Sequence, residues 1–312
     1  MKRCLILGGA GFLGTNLCKA LLQEGISVKI YSRKSPGLER FQKLYPDVPV
    51  ISRDFVDEQD FSAWMRDVDV VFHLVSTTNP ANKNVLYEFE TNVIPTVRLL
   101  DACIASGARL IYFSSGGTVY GIPRYVPVDE GHRTEPISAY GIHKLSVEKC
   151  IEYYGRTYGV DYQILRISNP YGLYQNPRGN QGVIAVFLAH ALTEQKITVW
   201  GDGSVVRDYI YVDDVMRACV DVLGYRGKQR IFNVGSNIGY SVNDIIHLIQ
   251  EITHKRLNVE FLRGRIQDVS ANILDTSLIY EELGWTPKCD LAEGIQRMMK
   301  AWNPKTKEFC VE

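Results

Sequence analysis

The hydrophobic pattern changes period along the chain. Short unbroken apolar runs alternate with longer stretches that are apolar every third or fourth residue. Arg3 to Leu7 is the first run, and it gives way at Gly8-Gly9-Ala10-Gly11-Phe12-Leu13-Gly14 to a helical pattern through Leu22. Val28-Lys29-Ile30-Tyr31, Val50-Ile51, Asp69-Val70-Val71-Phe72-His73-Leu74 and Arg109-Leu110-Ile111-Tyr112-Phe113 follow, with helices expected from about Asn84 to Ser106 and over 138–158. Runs of this kind belong to parallel strands buried on both faces. Their alternation with helices predicts an α/β fold, a doubly wound parallel sheet that takes ligands at the carboxyl ends of its strands. Beyond about residue 168, glycine, proline and asparagine become frequent, as in Asn176-Pro177-Arg178-Gly179-Asn180-Gln181-Gly182. The domain boundary is placed there. Residues 1–168 form the first domain, 206–234 return to it, and 169–205 with 235–312 make a smaller α/β lobe for substrate.

The first glycine cluster carries chemistry. Gly9, Gly11 and Gly14 fit G-x-G-x-x-G, and Gly8, Gly11 and Gly14 fit the wider G-x-x-G-x-x-G, between a strand and a helix. The backbone there must turn tightly and approach a pyrophosphate, whose charge the N–H groups of Phe12, Leu13 and Gly14 stabilise. The first domain is therefore Rossmann-type and binds a dinucleotide. An NAD-specific loop usually places an acid about 20 residues further on, at the ribose hydroxyls. Here the second strand ends in Ser32-Arg33-Lys34, a hydroxyl and two cations suited to a 2′-phosphate, which argues for NADP unless Arg33 and Lys34 are only solvated loop charges. Asp54, followed by Phe55, ends the third strand and is placed against the adenine. Leu74 closes the fourth strand on the cofactor side. His73, inside that apolar strand, reads as a packed, hydrogen-bonded histidine.

Tyr140 and Lys144 lie four residues apart on a helix that Pro136 and Ser138 open, so the phenol and the amine share one face. A free phenol, with a pKa of about 10, is a poor base at neutral pH, and a nearby ammonium lowers that value. The pair makes a proton-transfer catalyst; the bland alternative is two residues on an amphipathic surface. Composition narrows the ligand. Lysine plus arginine and aspartate plus glutamate each total 35, so no charge excess points to nucleic acid or a membrane surface. A small molecule is the expected partner. The seven scattered cysteines lack any Cys-x-x-Cys pair, which suits reduced thiols in the cytoplasm and no metal. No apolar run approaches the roughly 20 residues of a membrane span.

Taken together, the N-terminal glycine loop, Ser114-Ser115-Gly116-Gly117-Thr118-Val119-Tyr120-Gly121 and Tyr140-x-x-x-Lys144 resemble the extended short-chain dehydrogenase/reductases over nearly the whole chain. Within them the sequence is most similar to the UDP-galactose 4-epimerase group of nucleotide-sugar enzymes. Arg166 to Gly172, Gly201 to Ile210 and Arg265-Ile266-Gln267-Asp268 supply the later landmarks. The resemblance implies that Tyr140 is the general acid/base and that Lys144 holds the nicotinamide ribose and depresses the tyrosine pKa. It implies Asn169, Arg207 and Arg265 on the diphosphate, with Asp268 nearby, and Asn180, Gln181, Val183 and Val199-Trp200 along the nucleoside. For Arg207 the plain alternative is a salt bridge to Asp208 or Asp213.

One departure matters. The family's usual catalytic Ser or Thr falls on Gly116, so Ser115, slightly preferred, or Thr118 must supply the hydroxyl. Sugar-nucleotide dehydratases carry Asp-Glu where this chain has Gly117-Thr118, and the related decarboxylases keep a Glu at Thr118; both activities are disfavoured. Asn272 falls where the resemblance places a size gate, and an asparagine there leaves room for N-acetylated sugars. The expected activity is 4-epimerisation of a UDP-hexose or UDP-N-acetylhexosamine with bound NAD. The alternatives are an NADPH-dependent 4-keto-sugar reductase and a non-catalytic dinucleotide sensor. The helices near 84–106 and 138–158 are the usual interface of a homodimer in this family.

Overall fold

The computed structural model describes residues 2–179, 181–263 and 269–310. The predicted alternation is realised in β1 (Arg3–Leu7), α1 (Phe12–Gln23), β2 (Ser27–Ser32), α2 (Pro36–Leu44), β3 (Val50–Ser52) and β4 (Val70–His73). It continues with α3 (Val85–Glu88), α4 (Ile94–Ser106), β5 (Arg109–Ser115), α5 (Ala139–Tyr158) and β6 (Tyr162–Ile167). Next come β7 (Asn169–Tyr171), α6 (Val183–Leu192), β8 (Ile197–Trp200), β9 (Val206–Tyr211), α7 (Val212–Gly224) and β10 (Ile231–Val234). The chain closes with β11 (Gly239–Ser241), α8 (Val242–Thr253), β12 (Val259–Leu262), β13 (Ala271–Asn272), α9 (Ser277–Leu283), α10 (Leu291–Lys300), β14 (Trp302–Asn303) and β15 (Glu308–Phe309).

Seven strands form one sheet in the order β10-β6-β5-β4-β1-β2-β3. β1 runs parallel to both β2 and β4, with Leu5 opposite Lys29 on one side and Val71 on the other. The order reverses between β1 and β4, and the glycine loop and the segment after His73 leave the sheet at that switch point, where doubly wound folds bind ligands. Leu5, Leu7, Val71, Leu110 and Tyr112 from the strands pack with Leu99, Leu100, Val147 and Ile151 from the helices. This is the Rossmann architecture that the pattern predicts.

Two compact units result. The first comprises Met1–Gly121, Arg133–Arg166 and Val222–Phe232, and the second Ile122–His132, Ile167–Asp221 and Asn233–Glu312. The expected return of 206–234 is thus too long: only its end rejoins the first unit. The reason lies in strand pairing, since β9 bonds to β7, β11 and β13 in a separate sheet rather than to the large one. The helix expected from Asn84 to Ser106 is likewise interrupted, with a π-helical turn over Phe89–Val93 between α3 and α4. Pro95, in the first turn of α4, has no N–H to give to the preceding turn, and a widened turn absorbs that gap.

A buried ion pair ties α5 to the sheet in the first unit. Glu148, with no exposed surface, accepts Arg166 Nη2 at 2.6 Å and Nε at 3.1 Å, and also the Ser114 hydroxyl. Arg166 Nη1 donates to Tyr120 Oη at 3.1 Å. Burial works against the guanidinium charge, but Glu148 and Tyr120 outweigh it and hold the Arg166 pKa above its ordinary value. Removing one partner leaves a buried charge uncompensated, so Glu148→Ala is expected to lower unfolding stability by about 3–5 kcal/mol in urea titrations. A loss under ~1 kcal/mol would show that water reaches the pair.

Candidate active site

At the amino end of α1 the helix has Gly11 as its N-cap, with no side-chain capping bond and no acid in the first turn. Gly8 has φ +81°, the left-handed region that glycine tolerates, and its N–H donates to Tyr31 O at 2.9 Å. A Cβ on Gly14 would collide with the Gly8 carbonyl and the Gly9 backbone, so α1 can lie this close to the loop only with glycine there. The N–H groups of Phe12, Leu13 and Gly14 open the helix, a fit for a dinucleotide pyrophosphate. Leu74, half-buried, follows β4 and donates its N–H to Leu7 O at 3.1 Å.

Further out the placements differ in kind. Ser32 is half-buried, whereas Arg33 and Lys34 are exposed. Asp54 Oδ1 accepts the Val56 N–H at 3.1 Å and the Asp54 carbonyl accepts Tyr31 Oη at 3.0 Å. Phe55 is 4% exposed and packs its ring on Phe61 and His73, a core position. His73 is the packed histidine the sequence suggested: its Nε2 meets Thr96 Oγ1 at 2.8 Å, and burial, aided by Lys144, pulls its pKa to about 3.

Tyr140 and Lys144 sit on α5, capped by Ser138, whose side chain accepts the Gly141 N–H at 3.1 Å. Lys144 is buried; its Nζ donates to Phe113 O at 2.9 Å and stands 5.0 Å from the Tyr112 ring centroid and 5.7 Å from that of Tyr140. Burial lowers the Lys144 pKa to about 8, against the pull of Glu148 and Glu88. Tyr140 keeps partial exposure as a residue while its hydroxyl end lies in the interior. Burial raises the phenol to about 12, a bond from Ser76 works the other way, and the Glu88 charge adds to the rise. The expected depression of the tyrosine pKa is not what the structure shows: burial dominates the phenol, and the Lys144 ammonium donates to the Phe113 carbonyl.

Ser115 ends β5, half-buried, and its carbonyl accepts the N–H groups of Thr118 and Val119 at 3.2 and 3.1 Å. Thr118 Oγ1 is enclosed with no hydrogen-bond partner among the described residues. A Cβ on Gly141 would strike the Thr118 carbonyl, so Thr118 lies directly against the first turn of α5. The sequence reading passed over Ser76, Glu88 and His143. The available signals were a serine just past a strand's carboxyl end, an acid inside a helix, and an imidazole three residues after the tyrosine.

In the second unit a cavity of about 210 Å³ is lined by Asn169, Pro170, Tyr171, Gly182, Val183, Ile184 and Tyr209. Asn169 and Val183 thus share one recess, and Asn169 Nδ2 donates to Asp208 O at 2.8 Å. Gln181 is exposed. Arg207 Nη1 donates to the carbonyls of Val206 and Val269 at 2.8 and 2.7 Å, while the Asp208 carboxylate is engaged by Ser168, Ser236 and the Leu274 N–H. Val199 is 2% exposed and Trp200 51%, so strand alternation turns Trp200 outward and the Val199 side chain into the core. Asn272, 1% exposed, stands in register with Arg207 on β13. Asn180, Arg265 and Asp268 lie outside the described residues.

Fold and site together define a dinucleotide-dependent enzyme of the short-chain dehydrogenase/reductase type. The profile of the NAD dependent epimerase/dehydratase family matches residues 4–235, and the chain belongs to that family. A Methanocaldococcus jannaschii protein named putative UDP-glucose 4-epimerase is 35% identical over 299 residues, covering 95% of this chain and 96% of its own. A dTDP-4-dehydro-6-deoxyglucose reductase of Escherichia coli is 30% identical, covering 95% and 96%. Among solved structures, the Thermotoga maritima UDP-glucose 4-epimerase with UDP-glucose superposes with a TM-score of 0.89 at 34% identity, covering 94% of this chain and 96% of that one. The Thermus thermophilus UDP-glucose 4-epimerase with NAD gives 0.87 at 29% identity, with the same coverage. A Methanobrevibacter ruminantium UDP-N-acetylglucosamine 4-epimerase gives 0.89 at 25%, covering 96% and 97%. NAD is the cofactor of the family, and the uncapped, acid-free start of α1 fits it. Among the described residues, no helix is long and apolar enough to cross a membrane.

The Lys144 shift has a measurable consequence. Its pKa is about 8 folded against 10.5 for the ordinary group, so between those values the unfolded chain holds the extra proton and stability rises with pH. The penalty of burying the charge is fully present below pH 8 and gone above 10.5. Lys144→Met is expected to gain stability relative to the parent at pH 7 and to lose that gain by pH 10.5, a swing on the order of 3 kcal/mol. A pH-independent difference in denaturant midpoints would show the ammonium to be solvated.

Proposed function

We propose that the protein is a UDP-sugar 4-epimerase acting on a UDP-hexose or UDP-N-acetylhexosamine. The observation that carries the reading is the half-buried Tyr140 beside the buried Lys144, with the enclosed Thr118 hydroxyl, partnerless among the described residues, against the same helix turn. NAD, held at the uncapped start of α1, would supply the acceptor and donor of the C4 hydride. Tyr140 accepts the O4 proton as the C4 carbonyl forms and gives it back when that carbonyl is reduced, so no proton or electron pair is lost over a cycle. Lys144, cationic in about the range below pH 8, opposes the buried phenol's reluctance to ionise. Thr118 is the preferred stand-in for the hydroxyl that Gly116 lacks, because a buried hydroxyl without a partner is costly unless a ligand completes it. Asn169 and Arg207 are assigned to the diphosphate, Val183 and Gln181 to the nucleoside, and Asn272 to the tolerance of an acetamido group.

A second reading rests on Ser32-Arg33-Lys34 and on the reductase relative: an NADPH-dependent 4-keto-sugar reductase would use the same pair. Proton NMR of the protein with UDP-glucose or UDP-N-acetylglucosamine and catalytic NAD separates the two. Appearance of the galacto epimer without net cofactor loss is expected. Consumption of NADPH only when a 4-keto sugar is supplied, with no epimer formed, would establish the reductase. Tyr140→Phe should cut the rate at least about 100-fold, and Thr118→Val should cost more than Ser115→Ala; the reverse order would return the role to Ser115.

We also propose a cytoplasmic homodimer. Leu86, Tyr87, Ile94, Ile104, Tyr153 and Tyr158 are all exposed on α3, α4 and α5, with Leu86 at 67%, and aromatic-rich patches of this kind mark interfaces. Light scattering of Leu86→Lys/Ile94→Lys should give the monomer mass where the parent gives twice that mass. A monomeric parent would end the idea.

A further inference from the structure

Glu88 has no exposed surface, an expensive place for a carboxylate unless donors surround it. It accepts the Thr78 hydroxyl, Asn82 Nδ2 at 2.8 Å and Asn92 Nδ2 at 3.2 Å, and His143 Nδ1 lies 2.7 Å from its Oε2. His143 is itself 1% exposed. Its ring meets that of Tyr140 edge-on, with centroids 5.0 Å apart and planes at 82°. A chain of contacts therefore runs from a buried acid on α3, through an imidazole on α5, to the phenol. The π turn beside Glu88 extends the arrangement, because Asn92 within it accepts the Thr77 N–H at 3.0 Å and so holds the loop after β4 that carries Ser76.

Helix packing alone does not call for this arrangement. Two apolar side chains of similar volume would join α3 to α5 without desolvating a carboxylate, and buried ion pairs are commonly no more stabilising than such replacements. Nor does the imidazole cancel the charge. Burial, with Lys144 and His73 adding, pulls the His143 pKa to about 3, so the ring stays neutral near pH 7.

We propose that Glu88 and His143 are positioning residues for Tyr140: the carboxylate lies against the imidazole, and the imidazole edge sets the plane of the phenol ring. Burial is the main reason the phenol resists ionisation, and the Glu88 charge adds to it. The proposal rests on the reading of Tyr140 as the acid/base and deepens it. The groups facing the phenol are His143 and Lys144 from its own helix, Glu88 from α3, Tyr112 from β5 and Ser76 after β4; His73 and Glu148 act on it through Lys144. Only Glu88 among these opposes ionisation with a full charge.

The test is a titration of Tyr140 in NAD-loaded protein carrying ¹³Cζ-labelled tyrosine, its resonance identified by its loss in Tyr140→Phe. Glu88→Gln keeps the shape and removes the charge, and the Tyr140 midpoint should fall by about one pH unit, with the acid limb of the kcat profile moving the same way. His143→Phe keeps an aromatic edge but loses the nitrogen facing the carboxylate. Its kcat should drop roughly tenfold with KM little changed. If both variants change thermal stability while midpoint and kcat profile stay at the parent's values, the pair is a packing pin and the proposal is wrong. Should Glu88→Gln not fold, the kcat of His143→Phe against its KM decides alone. Failure of the acid/base reading itself shows differently, as turnover surviving in Tyr140→Phe, and leaves the midpoints to be judged separately.

Discussion

The first unit is organised around the cost of burying one ammonium. Lys144 is 3% exposed, and among the described residues no carboxylate lies within hydrogen-bonding distance of it; its Nζ donates to the Phe113 carbonyl at 2.9 Å. Such a group is tolerable only because the surroundings are arranged for it. Glu148 and Glu88 supply negative charge at a remove, and the faces of Tyr112 and Tyr140 present electron density toward the cation. A direct salt bridge would be more stable but would take the ammonium away from any ligand. The fold accepts a less stable lysine to keep it available, the usual exchange of stability for function at catalytic sites.

The same burial raises the pKa of the tyrosine beside it. Sequence spacing correctly places the phenol and the amine on one face of one helix, because helical periodicity alone decides that. It says nothing about how dry the face is. The local dielectric depends on the sheet beneath α5 and on the α3–π–α4 segment beside it, which are tertiary facts, and those push the phenol to about 12 rather than downward. The same distinction separates what was legible elsewhere. The strand–glycine–helix start was readable because each glycine answers a backbone demand within seven residues of chain. The Glu88–His143 couple was not, since it joins residues 55 positions apart and neither belongs to a motif. The break at Pro95 was a local signal left unused. The overlong return segment, by contrast, depended on which sheet β9 joins, a choice set by pairing partners as distant as β13.

The second unit illustrates a further limit. Val199 and Trp200 were expected to line the nucleoside together, but a strand directs successive side chains to opposite faces, and the structure gives the surface to Trp200. Asn169 and Val183, 14 residues apart, do share a recess, because β7 and the start of α6 both border it. Arg207 gives Nη1 to two backbone carbonyls, of Val206 and Val269, which help to set the plane of its guanidinium.

The end of β2 shows how a charge motif can mislead about a cofactor. Arg33 and Lys34 suggested a 2′-phosphate because cations replace the customary acid. Both are exposed, where their charges are solvated and cost nothing to keep, so their presence does not require a phosphate to neutralise. The nearby acids are already committed: Asp54 Oδ1 to its own turn, and Glu58 to Tyr31 Oη at 3.2 Å and Trp64 Nε1 at 2.9 Å. What remains for a ribose is the half-buried Ser32, a neutral group that can donate to or accept from a diol. A site built on a hydroxyl instead of a carboxylate accommodates NAD without the repulsion that an acid exerts on a 2′-phosphate, and it therefore discriminates less between the two cofactors than an acid would.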